Sequence, residues 1–403
     1  MNLFFLGMLF LIILINVYDG FKIKRCFGEH KKYYYYIGLP LHILFFIIFL
    51  MIFLLRGSDS YLGGILVTVG YGFIAVSFYM FIMFVPANVL RFIFNKLGIK
   101  GGFRKVVSKI YCRGIIVVVI SVCAVIFGVF NAYDIKIKYY DVSVEKGKSN
   151  IDGLNVVMFS DTHIGTTIRE NEIDEIVEKV NALKPDIIYL CGDIFDEGTS
   201  VHLKEYAKNA FSNFKSKYGA FYITGNHEYF AGNSDEAVKY IESSGITVLE
   251  DKYQLVDNSF YVVGRIDEAV FREKGVERKE LSEIIDGIDK EFPIMLLDHR
   301  PVGIMKSKEN GVDLQFSGHT HAGQVFPINF LSSLSNDLNY GYLKADEYNI
   351  IVSSGCGTWG VPIRIGSDTE IVNVNVKFEW FFRLSKFFKK FLKRSLQIKI
   401  MVL

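Results

Sequence analysis

Apolar residues run almost unbroken through roughly residues 3–18, 37–55, 62–88 and 114–133; from about Asp134 onward they come in short bursts between charged stretches. Each long run is near or above the roughly 17–25 residues that cross a bilayer as a helix, so the pattern predicts four spans. The first is the shortest. It has no basic flank before it and no small-residue cleavage site after it, and so reads as an uncleaved anchor rather than a signal peptide. Pro40 and His42 fall at the start of the second run, where a helix end or the interface tolerates them. No polar or charged residue recurs inside the spans as an ion pathway would require.

The later bursts have a different period. Short apolar segments at 154–159, 186–190, 220–223, 260–263, 294–297, 314–316 and 350–352 are bounded by Gly, Pro, Asp or Asn and predict strands. Ile173, Ile176, Val177, Val180 and Leu183 recur at three- and four-residue steps and predict an amphipathic helix. Residues 233–244 and 277–289 have the same character. Strand followed by helix, repeated, argues for an α/β architecture whose site is built from polar residues at the carboxyl ends of strands.

Composition agrees with a membrane half and a globular half. Half of the 403 residues are apolar and 36 are Phe, unusual for a wholly soluble chain. We divide it into a four-helix transmembrane anchor at 1–135, a globular domain at 136–376 and a basic tail at 377–403. The net charge of +2 gives no reason to expect a nucleic-acid partner. Local charge instead sets topology. Lys22, Lys24, Arg25, Lys31 and Lys32 follow the first run, and Arg91, Lys96, Lys100, Arg104, Lys105, Lys109 and Arg113 precede the fourth. By the positive-inside rule both loops are cytoplasmic, which makes a multi-pass cell-membrane protein with both termini and the globular domain outside. In the tail, Trp380, Phe381, Leu384, Phe388, Phe391 and Leu392 alternate with Arg383, Lys386, Lys389, Lys390, Lys393 and Arg394. That is the pattern of a helix lying on membrane lipid. The five cysteines form no CxxC pair and read as small buried hydrophobes.

Five blocks in the second half share one grammar, metal-capable residues just after an apolar strand. They are Asp161-Thr162-His163, Gly192-Asp193, Gly225-Asn226-His227-Glu228, Asp298-His299 and Gly318-His319-Thr320-His321. Each alone is a common turn. Together they offer carboxylates, imidazoles and a neutral amide oxygen, the donor types of divalent-metal sites.

This ordered set, DxH, GD, GNHE, H and GHxH, resembles the calcineurin-like metallophosphoesterase superfamily over residues 150–376. GHTHAGQVFP and SSGCGTWGVPIRIG are similar to a bacterial branch whose members are often membrane-anchored or exported. The resemblance implies a four-layer α-β-β-α sandwich and two divalent ions, manganese, iron or zinc. Asp161, His163, Asp193 and His321 would hold one ion and Asp193, Asn226, His299 and His319 the other. It also implies hydrolysis of a phosphorylated substrate, for which a membrane location suggests lipid linkage. Two such ions activate water and clamp a phosphoryl oxygen. His227, beside Asn226, is expected to protonate or stabilise the leaving oxygen, with Glu228 either orienting its imidazole or standing as a solvated acid. Arg300 either grips substrate phosphate or pairs at the surface. The aromatics of 324–342 and Trp359 are either a substrate-side wall or core. The alternative function is a membrane sensor or transporter whose soluble domain binds a phosphorylated ligand without turnover.

Overall fold

The computed structural model of the chain describes residues 3–55, 60–99, 101–102, 104–107, 114–145, 147–335 and 337–379. The N-terminal third is helical, with long helices at Leu3–Cys26, Leu39–Leu55, Tyr61–Lys96 and Ile115–Tyr133. Among the described residues three stretches, Tyr34–Ile52, Tyr61–Lys96 and Ile115–Tyr133, are long and apolar enough to cross a membrane, so the count is three rather than the expected four. The first run does form a helix, but its last two turns carry Asp19, Lys22, Lys24 and Arg25, and hydrocarbon penalises such charges.

The helices are also less uniformly apolar inside than expected. Asn16 and Asp19 are buried. Ser77 Oγ donates to Asn16 Oδ1 at 3.3 Å, His42 Nε2 lies 3.2 Å from the Asn16 carbonyl oxygen, and Lys22 Nζ donates to Asn88 Oδ1 at 3.0 Å. Polar groups from three helices therefore meet within the bundle, where each offsets the other's cost of leaving water.

Beyond Tyr133 the chain enters two six-stranded sheets. Its strands are β1 (Lys136–Glu145), β2 (Gly153–Phe159), β3 (Ile187–Cys191), β4 (Ala220–Ile223), β5 (Thr247–Val248) and β6 (Lys252–Val256). They continue with β7 (Phe260–Gly264), β8 (Ile294–Leu297), β9 (Leu314–Ser317), β10 (Gly341–Ala345), β11 (Tyr348–Val352) and β12 (Glu370–Glu379). One sheet has the order β1-β12-β2-β3-β4-β5 and the other β10-β11-β9-β8-β7-β6. Within them β2 to β5 run parallel, as do β7, β8, β9 and β11.

Side chains alternate across each strand, and that alternation builds the layers. Val156, Met158, Tyr189 and Phe221 of the first sheet meet Val262, Met295, Leu297 and Phe316 of the second in a shared core. Val157, Phe159, Ile188 and Leu190 point the other way, against helices Glu170–Ala182, Val201–Phe211 and Ser234–Ser243. On the far side Leu281, Ile284 and Ile304 cover Ile294, Leu296 and Ile350. The result is the expected α-β-β-α sandwich.

All seven expected strands are present; β1, β5, β6, β10 and β12 were not anticipated. The helix expected at 277–289 shrinks to Leu281–Ile284, with Gly287 at φ +84° bending the chain away. β12 runs to Glu379, past the expected boundary at 376, and the rest of the basic tail, 380–403, lies outside the described residues.

Candidate metal centre

The sheet order brings the five motif blocks together. β2, β3 and β4 are neighbours in one sheet and β8 and β9 in the other, so their carboxyl ends open onto one edge of the sandwich. Loop backbones then stitch the blocks to each other. The Asp161 N–H donates to the Gly192 carbonyl at 2.9 Å, His163 N–H to the Asp193 carbonyl at 3.1 Å, and Gly318 N–H to the His299 carbonyl at 2.9 Å. Turning side chains inward this sharply strains the main chain. Asp161, His163, Asp193, His319 and His321 all have positive φ, from 49° to 69°, a region that costs an L-residue roughly 1–2 kcal/mol. Two glycines make the close approach feasible. A Cβ on Gly192 would lie 2.6 Å from His299 Nδ1, and one on Gly318 would lie 2.2 Å from Asp161 Oδ2.

Six of the seven residues expected as ligands, Asp161, His163, Asp193, His299, His319 and His321, have donor atoms gathered in close groups. Donor atoms of Asp161, His163 and His321 lie within 4.8 Å of one another, as do those of Asp193, His299 and His319, and of His163, Asp193 and His227. His163 Nε2 and His321 Nε2 are 3.1 Å apart, His321 Nε2 is 3.4 Å from Asp161 Oδ1, and His299 Nε2 is 3.1 Å from Asp193 Oδ2. Asn226, at the start of the short helix Asn226–Phe230, is buried with its Oδ1 unpartnered.

Three of these side chains are held from behind. His299 Nδ1 lies 2.7 Å from the Cys191 carbonyl oxygen, which fixes a proton there and turns Nε2 toward Asp193. The His319 N–H donates to both Asp161 oxygens at 3.0 Å, and the His227 N–H to Asp193 Oδ1 at 2.8 Å. Burial, and then the charge of His299, lowers the His319 imidazole to about 3, and burial with His163 takes His321 well below its usual range. Both rings are thus in the neutral form that ligates metal. Burial would raise Asp193, but His299 beside it holds that carboxyl well below normal. His299 itself, though burial opposes it, is raised to about 10 by Asp193.

The residues expected to do proton chemistry are placed differently. Glu228 is neither solvated nor the orienting partner of His227. It is buried, and its Oε2 accepts from the N–H groups of Gly225 and Asp193 at 2.8 and 3.1 Å while Oε1 accepts from Ile194 and Phe195 at 2.7 and 3.2 Å. The carboxylates beside His227 are Asp196 and Glu197, 3.4 and 3.3 Å from its Nδ1. Burial works against the charged ring, but these two raise it to about 11. Arg300 is occupied by buried Asp267, to which its Nε and Nη2 donate at 2.7 and 2.9 Å.

Arg364, fully buried, was not anticipated. It donates to the carbonyls of His321 at 2.9 Å, Ser354 at 2.6 Å and Gly357 at 2.6 Å, tying the His321 turn to the loop after β11. Of the aromatics near the site, Tyr340 bonds Glu370 and half-buried Tyr342 bonds Asn349 through their hydroxyls. Phe326, Phe330 and Trp359 are exposed, and the Trp359 ring centre is 6.2 Å from that of His227.

The donor set fits divalent cations. His163 Nδ1 and Asn226 Oδ1 are buried without a hydrogen-bond partner, a cost that ordinary packing rarely tolerates, and the mix of imidazole, carboxylate and amide oxygen suits manganese, iron or zinc. The family model described as calcineurin-like phosphoesterase matches residues 154–323. The chain carries a calcineurin-like phosphoesterase domain. Among relatives, an uncharacterized metallophosphoesterase of Campylobacter jejuni is 28% identical over 350 residues, covering 86% of this chain and 91% of that one. A transmembrane protein with metallophosphoesterase domain from Danio rerio is 29% identical over 68% of this chain and 64% of its own length. An uncharacterized metallophosphoesterase of Helicobacter pylori is 31% identical over 54% of this chain and 58% of its own. This calcineurin-like protein is a metal-dependent phosphohydrolase associated with a membrane.

Proposed function

We propose that this chain hydrolyses a phosphate ester or phosphoanhydride, lipid-linked, at the extracytoplasmic face of the membrane. The observation that carries the reading is the convergence of five strand-end blocks on one pocket with buried donors left unpartnered. Asp161, His163, Asp193 and His321 would hold one divalent ion and Asp193, Asn226, His299 and His319 the second. A bound pair of such ions supplies water of lowered pKa and positive charge opposite the phosphoryl oxygens. Asp193 stands between the two sets. His227, kept charged by Asp196 and Glu197, donates a proton to the leaving oxygen. His319, half-buried where the other ligands are buried, marks the side from which the phosphate approaches.

The side of the membrane follows from charge. Seven basic residues from Arg91 to Arg113 precede the last span and favour a cytoplasmic loop, so the domain after Tyr133 emerges on the other side. That argument does not depend on whether the first helix crosses.

The test is turnover of chromogenic phosphomonoesters and diesters by the full-length protein in detergent with added manganese, set against Asp193→Asn. A fall of at least a hundredfold is expected. Equal rates reject the site, and a metal-loaded protein that binds phosphorylated ligands but turns none over is instead a sensor.

A further inference from the structure

The segment that follows the last metal block leaves the sandwich with its polarity reversed. Helix Ile328–Ser335 and the adjoining Phe326 turn their apolar side chains outward. Exposure runs from 45% for Ile328 through 53% for Phe326 and about 60% for Phe330 and Leu331 to 71% for Leu334. Asn329 and Ser332 turn toward the domain. Ser332 Oγ donates to Asn339 Oδ1 at 2.6 Å, and Asn329 Nδ2 donates to the Gly366 carbonyl at 3.2 Å. A helix that faces water has the opposite arrangement.

What surrounds this ridge is set by its depth along the spanning helices. Tyr79, near the midpoint of Tyr61–Lys96, donates its hydroxyl to the Phe326 carbonyl at 2.9 Å. Val325, Val361, Ile363 and Ile365 of the domain pack against Tyr79, Val125 and Val129, and the Arg364 N–H donates to the Gly128 carbonyl at 2.9 Å. Val125 lies eight residues before the end of Ile115–Tyr133, about 12 Å at ~1.5 Å per residue. The domain thus grips these helices well inside their apolar length, and the ridge continues their lipid-facing surface.

We infer that Phe326 and helix Ile328–Ser335 are embedded in the bilayer leaflet next to the catalytic domain, and that the lipid itself is the partner of this surface. Five large apolar side chains sharing one face are what an interfacial element presents to acyl chains. The embedded ridge is joined directly to the metal centre. Gly323, two residues after the ligand His321, packs so closely on Asn329 that a Cβ would lie 2.3 Å from its Cα. Gln324 bonds the backbone of Trp359, the exposed ring beside His227. The mouth of the metal centre therefore sits at headgroup level.

A fluorescence measurement tests this without reference to catalysis. In a full-length Trp359→Phe, Trp380→Phe background, Phe330→Trp provides the sole indole, and the protein is reconstituted in phosphatidylcholine vesicles. Doxyl-labelled phosphatidylcholine is expected to quench Phe330→Trp at least twofold more than iodide does, with emission shifted to the blue. Iodide quenching equal to or greater than that by the doxyl lipid, with red emission, would overturn the inference and leave the phosphohydrolase reading intact. Leu334→Trp in the same background gives the same comparison should Phe330→Trp fail to reconstitute.

Discussion

Glu228→Gln separates the backbone-holding role seen in the structure from the part in proton chemistry that the sequence suggested. As a carboxylate, Glu228 accepts four backbone N–H bonds, two at each oxygen, from Gly225, Asp193, Ile194 and Phe195. Gln keeps one oxygen and places an NH2 where the other stood, so two buried N–H groups lose their acceptor and face a donor. Each buried unsatisfied group costs about 1–3 kcal/mol, so the substitution removes roughly 2–6 kcal/mol from a fold whose whole stability is of order 5–15 kcal/mol. Because the Asp193 N–H is one of the four, the turn that aims the shared ligand also loosens, and metal affinity falls about 10–100-fold, as for other groups that hold a ligand from behind. The assay pairs denaturant unfolding of the full-length protein in detergent with a manganese titration of activity. Excess manganese is expected to restore most of the rate. A variant that unfolds at the wild-type denaturant concentration and binds manganese normally, yet is slow at saturating metal, would refute this reasoning and return Glu228 to a role in proton transfer.

Other substitutions probe the same construction. Arg364→Met leaves the carbonyls of His321, Ser354 and Gly357 without their buried donor, and at about 1–3 kcal/mol per group it lowers the thermal midpoint by several degrees, read by scanning fluorimetry. Gly318→Ala puts a methyl 2.2 Å from Asp161 Oδ2; equilibrium dialysis should find weaker metal binding, and unchanged affinity would contradict the close approach. A double substitution of Asp196→Asn with Glu197→Gln removes the two carboxylates that raise His227. The alkaline limb of its kcat profile should move to lower pH, since less of the ring stays protonated. Chelation of bound metal should lower the midpoint reversibly, because imidazoles and carboxylates gathered for cations are left to face one another.

How much was legible in the sequence followed the physics of each element. Runs such as Val156-Val157-Met158-Phe159 announce themselves because both faces of the strand are buried. β1 at the sheet edge and β12 beside it alternate charged or polar with apolar residues, and so looked like connecting chain. The residues proposed as ligands stood out because each sits two to four residues past a buried strand. Asp196 and Glu197 lie beyond that reach in a loop with no motif, and Arg364 sits in an apolar stretch where its charge suggested nothing. Their roles depend on which loops meet, which only the sandwich decides. The first helix shows the converse. Its apolar run was plain, but the weight of Asp19, Lys22, Lys24 and Arg25 at its end was underestimated.

The central claim is that one pocket seats two ions. Anomalous diffraction from crystals of the manganese-loaded protein tests it directly. The account predicts two peaks roughly 3.5–4 Å apart, one coordinated by Asp161, His163 and His321, the other by Asn226, His299 and His319, with Asp193 reaching both. A single peak, or peaks away from these side chains, would contradict it.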